Sequence, residues 1–281
     1  MKKLLAVSGG IDSVVMLHLF RNDKDAVVLH FDHGIRQSSA EDCAFVKGLA
    51  EKYGLSFVSK RAELGENCSE EAARTARYEF FKSQISSSDD KIYTAHHQND
   101  LIESVVINLL RGTGWRGLAP LRDSNLCRPL LDWSKADIYR YATEHKLRFR
   151  LDQSNSEDKY LRNRIRQKLL DCAPEEKTKL LELAKRQRVI ADDFDELLSE
   201  LLPEDSRYSK ALLDDLEDDL ALELLRYALK THQRLTRPQL RRALEAIRAF
   251  EPGKRFSLSK DQFLVVGRYY FSIEDNRGKL A

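Results

Sequence analysis

The chain has 281 residues, 42% hydrophobic and 33% charged, which describes a globular protein of one or two domains and excludes fibrous or disordered classes. Its 47 Lys+Arg against 45 Asp+Glu leave a net charge of +2, so the average charge does not mark a nucleic-acid binder. The longest apolar stretches, such as 26–29 and 197–202, fall far below the ~20 residues a membrane helix needs.

Leu4 to Val7 reads as a short strand, then come a Gly-rich turn and Val14, Val15, Leu17, Leu19 and Phe20 at helical spacing. Ser8 to Asp12 ends the opening apolar run too early for a signal peptide, so a mature cytoplasmic N-terminus is expected. The cycle repeats with a strand at Ala26–Phe31, a helix over Ser39–Tyr53, a strand at Ser56–Ser59 and a helix over Ser69–Ser83. A further strand at Ile92–Ala95 runs into a helix from about Asn99 to Leu110. This alternation predicts an α/β fold with a parallel sheet covered on both faces, and ligands in such folds bind beyond the carboxyl ends of the strands. The loops to inspect are therefore 8–13, 32–37 and 96–100.

After Pro129 the pattern turns helical, with Lys135–His145, Lys159–Leu170 and one long helix over Glu175–Leu202. Residues 202–209 (LPEDSRYS) read as a linker. Helices over Lys210–Thr231 and Arg237–Phe250 follow, then a strand at Arg255–Ser259 and a hairpin over Phe263–Ile273. The expected organisation is a catalytic core over 1–130, a helical extension with a basic segment over 131–204, and a small α+β domain over 205–281. Cys43, Cys68, Cys127 and Cys172 have neither CxxC nor metal-ligand spacing, so reduced and mostly buried thiols are expected.

The loop Ser8-Gly9-Gly10-Ile11-Asp12-Ser13 suits an anion. Glycines let backbone N–H groups approach a ligand, the following helix start adds positive charge, and the two serine hydroxyls can donate to phosphate. A carboxylate repels phosphate unless a divalent cation lies between them, so Asp12 predicts Mg2+. An ordinary βα turn with a capping Asp fits the bare loop equally well. Neither a Walker A loop nor a GxGxxG fingerprint is present.

His30-Phe-Asp-His-Gly-Ile-Arg36 at the second strand end reads either as a site loop or as a polar turn, and Ser69–Tyr78, with Arg74 and Arg77, as a salt-bridged helix. Thr94-Ala-His-His-Gln-Asn-Asp-Leu-Ile-Glu-Ser104 delivers two histidines and a carboxylate to the same sheet end. Asp100 could share Mg2+ with Asp12, and His96 could contact phosphates. Zinc fits less well, because a phosphate-bound hard cation prefers carboxylates.

SGGIDS after an N-terminal strand resembles the PP-loop of the N-type ATP pyrophosphatases, which cleave ATP to AMP and pyrophosphate. With HFDHGIR, SEEAARTARY, AHHQNDLIES, Arg111-Gly-Thr-Gly, Arg128-Pro-Leu-Leu, and Asp152-Gln-Ser-Asn before Arg162-Asn-Arg-Ile-Arg166, residues 1–170 are similar to the tRNA(Ile)-lysidine synthetase family. Asn99 stands where an Asp is common in that family, and Ser104 where Thr is usual.

The resemblance implies adenylation of the wobble cytidine of a CAU-anticodon tRNA(Ile), then attack by free L-lysine, with ATP and Mg2+ as cofactors. It implies Ser8, Gly9, Gly10, Ile11, Asp12 and Ser13 at ATP, Asp12 and Asp100 at Mg2+, and His96 and Arg111 as orienting groups. Glu103 and Asp32 are the candidates for lysine, and Arg148, Arg162, Arg164 and Arg166 for tRNA. Longer members carry a third domain, which is expected to be missing from a chain of this length. Basic residues gather over 148–168 and 234–255 and acidic ones over 192–223, so the neutral average is expected to conceal RNA-facing surfaces. A 2-thiocytidine synthetase would need cysteine pairs for an iron–sulfur centre, and GMP or NAD synthetases other downstream motifs. The non-enzyme alternative, a silent tRNA-binding protein, would not need the intact Ser8, Asp12, Ser13 and Asp100.

Overall fold

The apolar runs become strands of one parallel sheet. The computed structural model describes residues 1–34, 39–62, 68, 70–123, 125–150, 161–202, 207–229, 235–249, 253–258 and 262–275. In chain order the first elements are β1 (Lys3–Ala6), α1 (Ile11–Leu19), β2 (Ala26–Asp32), α2 (Ser39–Tyr53), β3 (Ser56–Arg61), α3 (Glu70–Ser83), β4 (Lys91–Tyr93) and α4 (Gln98–Leu110). A 3-10 turn at Trp115–Leu118, β5 (Leu126–Cys127), α5 (Lys135–Glu144), α6 (Leu161–Leu170) and α7 (Pro174–Leu201) follow.

The sheet order is β3-β2-β1-β4-β5, with Leu4 opposite both Val27 and Ile92. The strand order therefore reverses between β1 and β4, and the crevice outside their carboxyl ends is where this architecture binds ligands. Central strands have both faces covered, so β2 is apolar almost throughout and nearly all buried. One side of the sheet packs Leu5, Val28 and α1 with Val46 and Ala50 of α2 and Ile138 and Ala142 of α5; the other packs Leu4, Leu29 and Ile92 against Phe80 and Phe81 of α3. α1 is apolar almost all round and correspondingly buried at Ile11, Val14, Val15, Met16 and Leu17, as a central covering helix must be.

The chain divides into two compact units, Met1–Arg188 and Val189–Ala281. The second contains β6 (Arg207–Ser209), α8 (Ala211–Asp214), α9 (Asp218–Leu229), α10 (Arg237–Ala249), β7 (Arg255–Ser257), β8 (Gln262–Val266) and β9 (Tyr270–Asp275). Its antiparallel sheet runs β6-β9-β8-β7 and shares an apolar core with α9 and α10 that includes Leu225, Leu240, Leu264 and Phe271.

Several expectations need correction. The single helix over 210–231 is two, α8 and α9, separated within the acidic run 214–219. The stretch taken wholly as linker contains β6, because Tyr208 is buried in that core and its hydroxyl donates to the Ala228 carbonyl at 3.2 Å. β4 stops at Tyr93 rather than Ala95, and β5, only two residues long, was not foreseen. The cysteines are half-buried rather than buried. The boundary read at 204–205, the Asp152–Asn155 motif, Ser69, and Ile35 and Arg36 lie outside the described residues.

Candidate active site

The loop after β1 is shaped around one oxygen atom. Gly9 takes a left-handed φ of +97°, and a Cβ there would meet Val46 Cγ2 at 3.4 Å, so both backbone and packing call for glycine. The Ser13 hydroxyl, buried in the first turn of α1, accepts from the Ser8 and Gly9 N–H groups at 3.2 Å each and donates to the Gly10 carbonyl at 2.9 Å. Ser8 Oγ lies 3.2 Å from the same atom. Two backbone donors are thus drawn onto one hydroxyl beside the start of α1, where the helix dipole favours an anion.

Three helix starts meet here. Asp12 sits in the first turn of α1, Asp100 in the first turn of α4 and Lys135 in the first turn of α5. Lys135 Nζ donates to Asp12 Oδ1 at 2.5 Å, and His97 Nε2 lies 3.8 Å from that same oxygen and 3.6 Å from Asp100 Oδ2. His97 caps α4, its Nδ1 accepting from the Asn99 N–H at 3.2 Å while its own N–H donates to Asp100 Oδ2 at 2.9 Å. Gln98 ties the start of α4 to the turn before α5, with its N–H on the Trp133 carbonyl at 3.1 Å and Nε2 on the Asp132 carbonyl at 2.6 Å. At their other ends α1 and α5 meet again, His18 Nδ1 lying 3.1 Å from the Tyr141 hydroxyl, so the two helices run side by side in the same direction. The positive ends of α1, α4 and α5 therefore point at one place.

Asp12 and Asp100 supply hard oxygen ligands suited to Mg2+. Among the described residues no group of three His, Cys, Asp or Glu side chains is close enough to hold an ion by itself. The pair fits a Mg2+ that arrives with phosphate oxygens and water filling the rest of its shell, the usual habit of that ion.

His96 is held by Thr94, whose Oγ1 lies 2.9 Å from Nδ1. Burial, reinforced by Arg128, Arg162 and Arg74 and only partly opposed by Asp100, pushes the imidazole down to about 4, so it is a neutral donor or acceptor at pH 7. Burial alone would raise the Asp100 carboxyl, but His97, His96, the His97 N–H and Arg162 together hold it below the usual carboxylate range.

The other expected residues scatter. Asp32 is buried at the end of β2, accepting from the Gly34 N–H at 2.8 Å, with Arg61 Nε 3.7 Å away. Glu103, 2% exposed, takes Arg162 Nε at 3.0 Å and Arg166 Nε at 2.7 Å, so those two arginines, read as RNA contacts, fasten α6 to α4. Arg164 and Arg148 are exposed. Arg111 caps the far end of α4, about 16 Å along the helix from Asp100 at 1.5 Å per residue, and does not join the phosphate loop. In the second unit Arg237 pairs with Asp219 at 2.5 Å and Arg248 with Asp218 at 2.6 Å, so the expected basic and acidic runs partly neutralise one another. Asn99, the departure from the common family form, is exposed, and Ser104 Oγ donates to the Asp100 carbonyl at 2.7 Å.

Lys135 and His97 were not singled out from the sequence. A cation in the first turn of a helix opposes the helix dipole, and Ser134-Lys135 carries that signal.

A family model described as a PP-loop domain matches residues 1–173. The chain belongs to the PP-loop family. Within it, the chain is 34% identical over 233 residues to the "Bifunctional protein TilS/HprT" of Listeria monocytogenes, covering 76% of this chain and 34% of that protein. It is 36% identical to the tRNA(Ile)-lysidine synthase of Clostridium tetani, covering 60% of this chain and 40% of that one, and 32% identical to that of Photorhabdus laumondii, covering 72% and 49%. The chain thus spans about a third to a half of the length of these curated relatives. Among solved structures, the U34-tRNA thiolase NcsA of Methanococcus maripaludis shares the fold, with a TM-score of 0.52 at 20% identity over 66% of this chain and 72% of that one. Membership of this ATP-utilising family supports ATP binding. No helix among the described residues is long and apolar enough to cross a membrane.

Proposed function

We propose that this PP-loop chain makes lysidine on a tRNA(Ile) that carries a CAU anticodon, in the cytoplasm, using ATP and free L-lysine. The observation that carries the reading is the lysidine synthase name of relatives that are 32–36% identical over 60–72% of this chain. In the first step the cytidine C2 oxygen attacks the α-phosphorus of ATP and pyrophosphate leaves. In the second the lysine ε-amine attacks C2, and the C2–oxygen bond breaks to release AMP.

The Ser8–Ser13 loop and the converging helix starts would hold the triphosphate tail and stabilise the leaving pyrophosphate. Mg2+ bound at Asp12 and Asp100 would neutralise charge on the phosphates. His96, neutral and fixed by Thr94, would donate to a phosphate oxygen rather than act as a fixed cation. An anticodon base is already single-stranded, so bringing it to the crevice costs little unstacking.

Lysine requires a carboxylate near this crevice. Asp32 and Glu103 are the two candidates, and Glu103 serves only if Arg162 or Arg166 turns from it toward the lysine carboxylate or an RNA phosphate. Exposed Arg148 and Arg164 are the first cations for the RNA backbone, and the domain read at 205–281 would help to select the tRNA.

The test is incubation with ATP, radiolabelled lysine and the tRNA transcript, followed by nucleoside analysis. Lysidine together with AMP supports the reading. ATP cleavage that is independent of tRNA, or a thiolated product in the presence of a sulfur donor, overturns it.

A further inference from the structure

Lys135 is the one side chain at the converged helix starts whose charge is of the wrong sign for its position. The first turns of α1, α4 and α5 carry Asp12, Asp100 and Asp137, each a carboxylate at the positive end of a helix, as electrostatics favours. A lysine among them is disfavoured by the dipole of its own helix unless a stronger partner holds it. That partner is Asp12, at 2.5 Å, across 123 residues of sequence.

The helix that carries Lys135 is firmly placed. Ser134 and Asp137 form a reciprocal capping box, and Ile138 and Ala142 are buried in the same apolar cluster as Leu17 of α1. The Lys135 ammonium is therefore presented to Asp12 from a fixed base. It also lies 5.5 Å from the centre of the Tyr139 ring, one turn further along α5, which offers a second resting place.

From this we infer that Lys135 is a positioning residue of the nucleotide site: a resident counter-ion for Asp12 that hands this carboxylate to the divalent cation when Mg-ATP arrives, and moves its own charge onto the phosphate tail. The inference rests on the reading of Ser8–Ser13 as an ATP loop. The chemistry is an exchange of partners with no bond made or broken. Without nucleotide, the ammonium occupies the Asp12 oxygen that a metal would use, so the bare protein is a poor metal site. With nucleotide, the phosphates supply the anion that Lys135 loses, and both charges stay compensated throughout. A second consequence is that metal and nucleotide binding are coupled, because each removes an obstacle to the other.

The test uses Lys135→Met, which keeps the stem and removes the charge, and Lys135→Arg, which keeps the charge, with circular dichroism establishing that both fold. The first readout is Mn2+ alone, titrated into the full chain and followed by electron paramagnetic resonance. Lys135→Met should bind Mn2+ about tenfold more tightly than the native chain, and Lys135→Arg no more tightly, since a full charge near a half-exposed carboxylate is worth that much. The second readout is the affinity for a non-hydrolysable ATP analogue with Mg2+, which should fall about tenfold in Lys135→Met and far less in Lys135→Arg. Unchanged Mn2+ affinity in a folded Lys135→Met chain overturns the proposal, as does unchanged nucleotide affinity. If the native chain binds no ATP analogue at all, the reading of the loop has failed instead, and the two failures are thereby distinguished.

Discussion

The two units of the chain bury different kinds of residue. In Val189–Ala281 the core is almost purely aliphatic and aromatic, with Leu225, Leu240, Leu264, Phe271 and Ile273 fully enclosed, and its charged residues pair near the surface, as Arg237 does with Asp219. In Met1–Arg188 the same kind of apolar packing surrounds buried Ser13, His30, Asp32, Asp90, Thr94, His97 and Glu103. A buried polar group must be hydrogen-bonded or paired, so it is held only where something compensates it. Their position in the sheet then separates them into two groups. Asp90 precedes β4, at the amino end of the sheet, and accepts from the Lys2, Ser86 and Ser87 N–H groups, which hold its carboxyl well below the usual range and fasten the chain terminus. Ser13, Thr94 and His97 lie beyond the carboxyl ends of β1 and β4, where the strand order reverses, within or beside the Ser8–Ser13 loop.

This contrast is open to direct attack by substitution. The largest effect should come from the apolar unit: Phe271→Ala is expected to cost about 3–5 kcal/mol by urea denaturation. Affinity for an ATP analogue should stay within twofold of native, about the noise of the measurement. Lost nucleotide binding in that variant would break the division of labour between the units. Next, Asp12→Asn should lower tRNA-dependent pyrophosphate release by roughly 10²–10³-fold while leaving the melting temperature almost unchanged.

A smaller effect concerns pH. Burial, with Arg21, His145 and Lys52 adding to it, pushes His18 down to about 4 from its ordinary 6.5. The unfolded chain therefore takes up the proton first, and stability falls as pH drops from 6.5 to about 4, then levels off. Denaturation midpoints measured across that window should fall more steeply for the native chain than for His18→Gln, and equal slopes would remove His18 from the account. The smallest effect is expected at Asn99→Asp. The side chain is exposed, so stability should change by less than about 0.5 kcal/mol, and activity by less than about twofold, when that common family form is restored.

Most of the first unit was legible in the sequence because its signals are local. Apolar runs such as Ala26–Phe31 and the Gly-Gly turn identify strand, loop and helix without reference to anything distant. β5 and β6 escaped because two or three residues carry no periodicity, and the α8–α9 break escaped because an acidic run hides where one helix stops and the next begins. Site residues divided along the same line. Ser13 and Asp100 are marked by their own motifs, whereas the Lys135–Asp12 pair joins positions 123 residues apart. Arg111, an orienting group by the resemblance, caps the far end of α4, a position that its motif alone does not reveal. The pairing of Arg162 and Arg166 with Glu103 was not legible, because nothing local to either motif reveals a partner so distant in sequence.

The most direct measurement of the central claim is transfer of label from α-³²P-ATP to the tRNA(Ile) transcript in the absence of lysine. The account predicts a Mg2+-dependent, labelled AMP adduct at the wobble cytidine that Asp12→Asn fails to form and that added lysine discharges as AMP. Label that never enters the tRNA, or that enters equally well with Asp12→Asn, would contradict it.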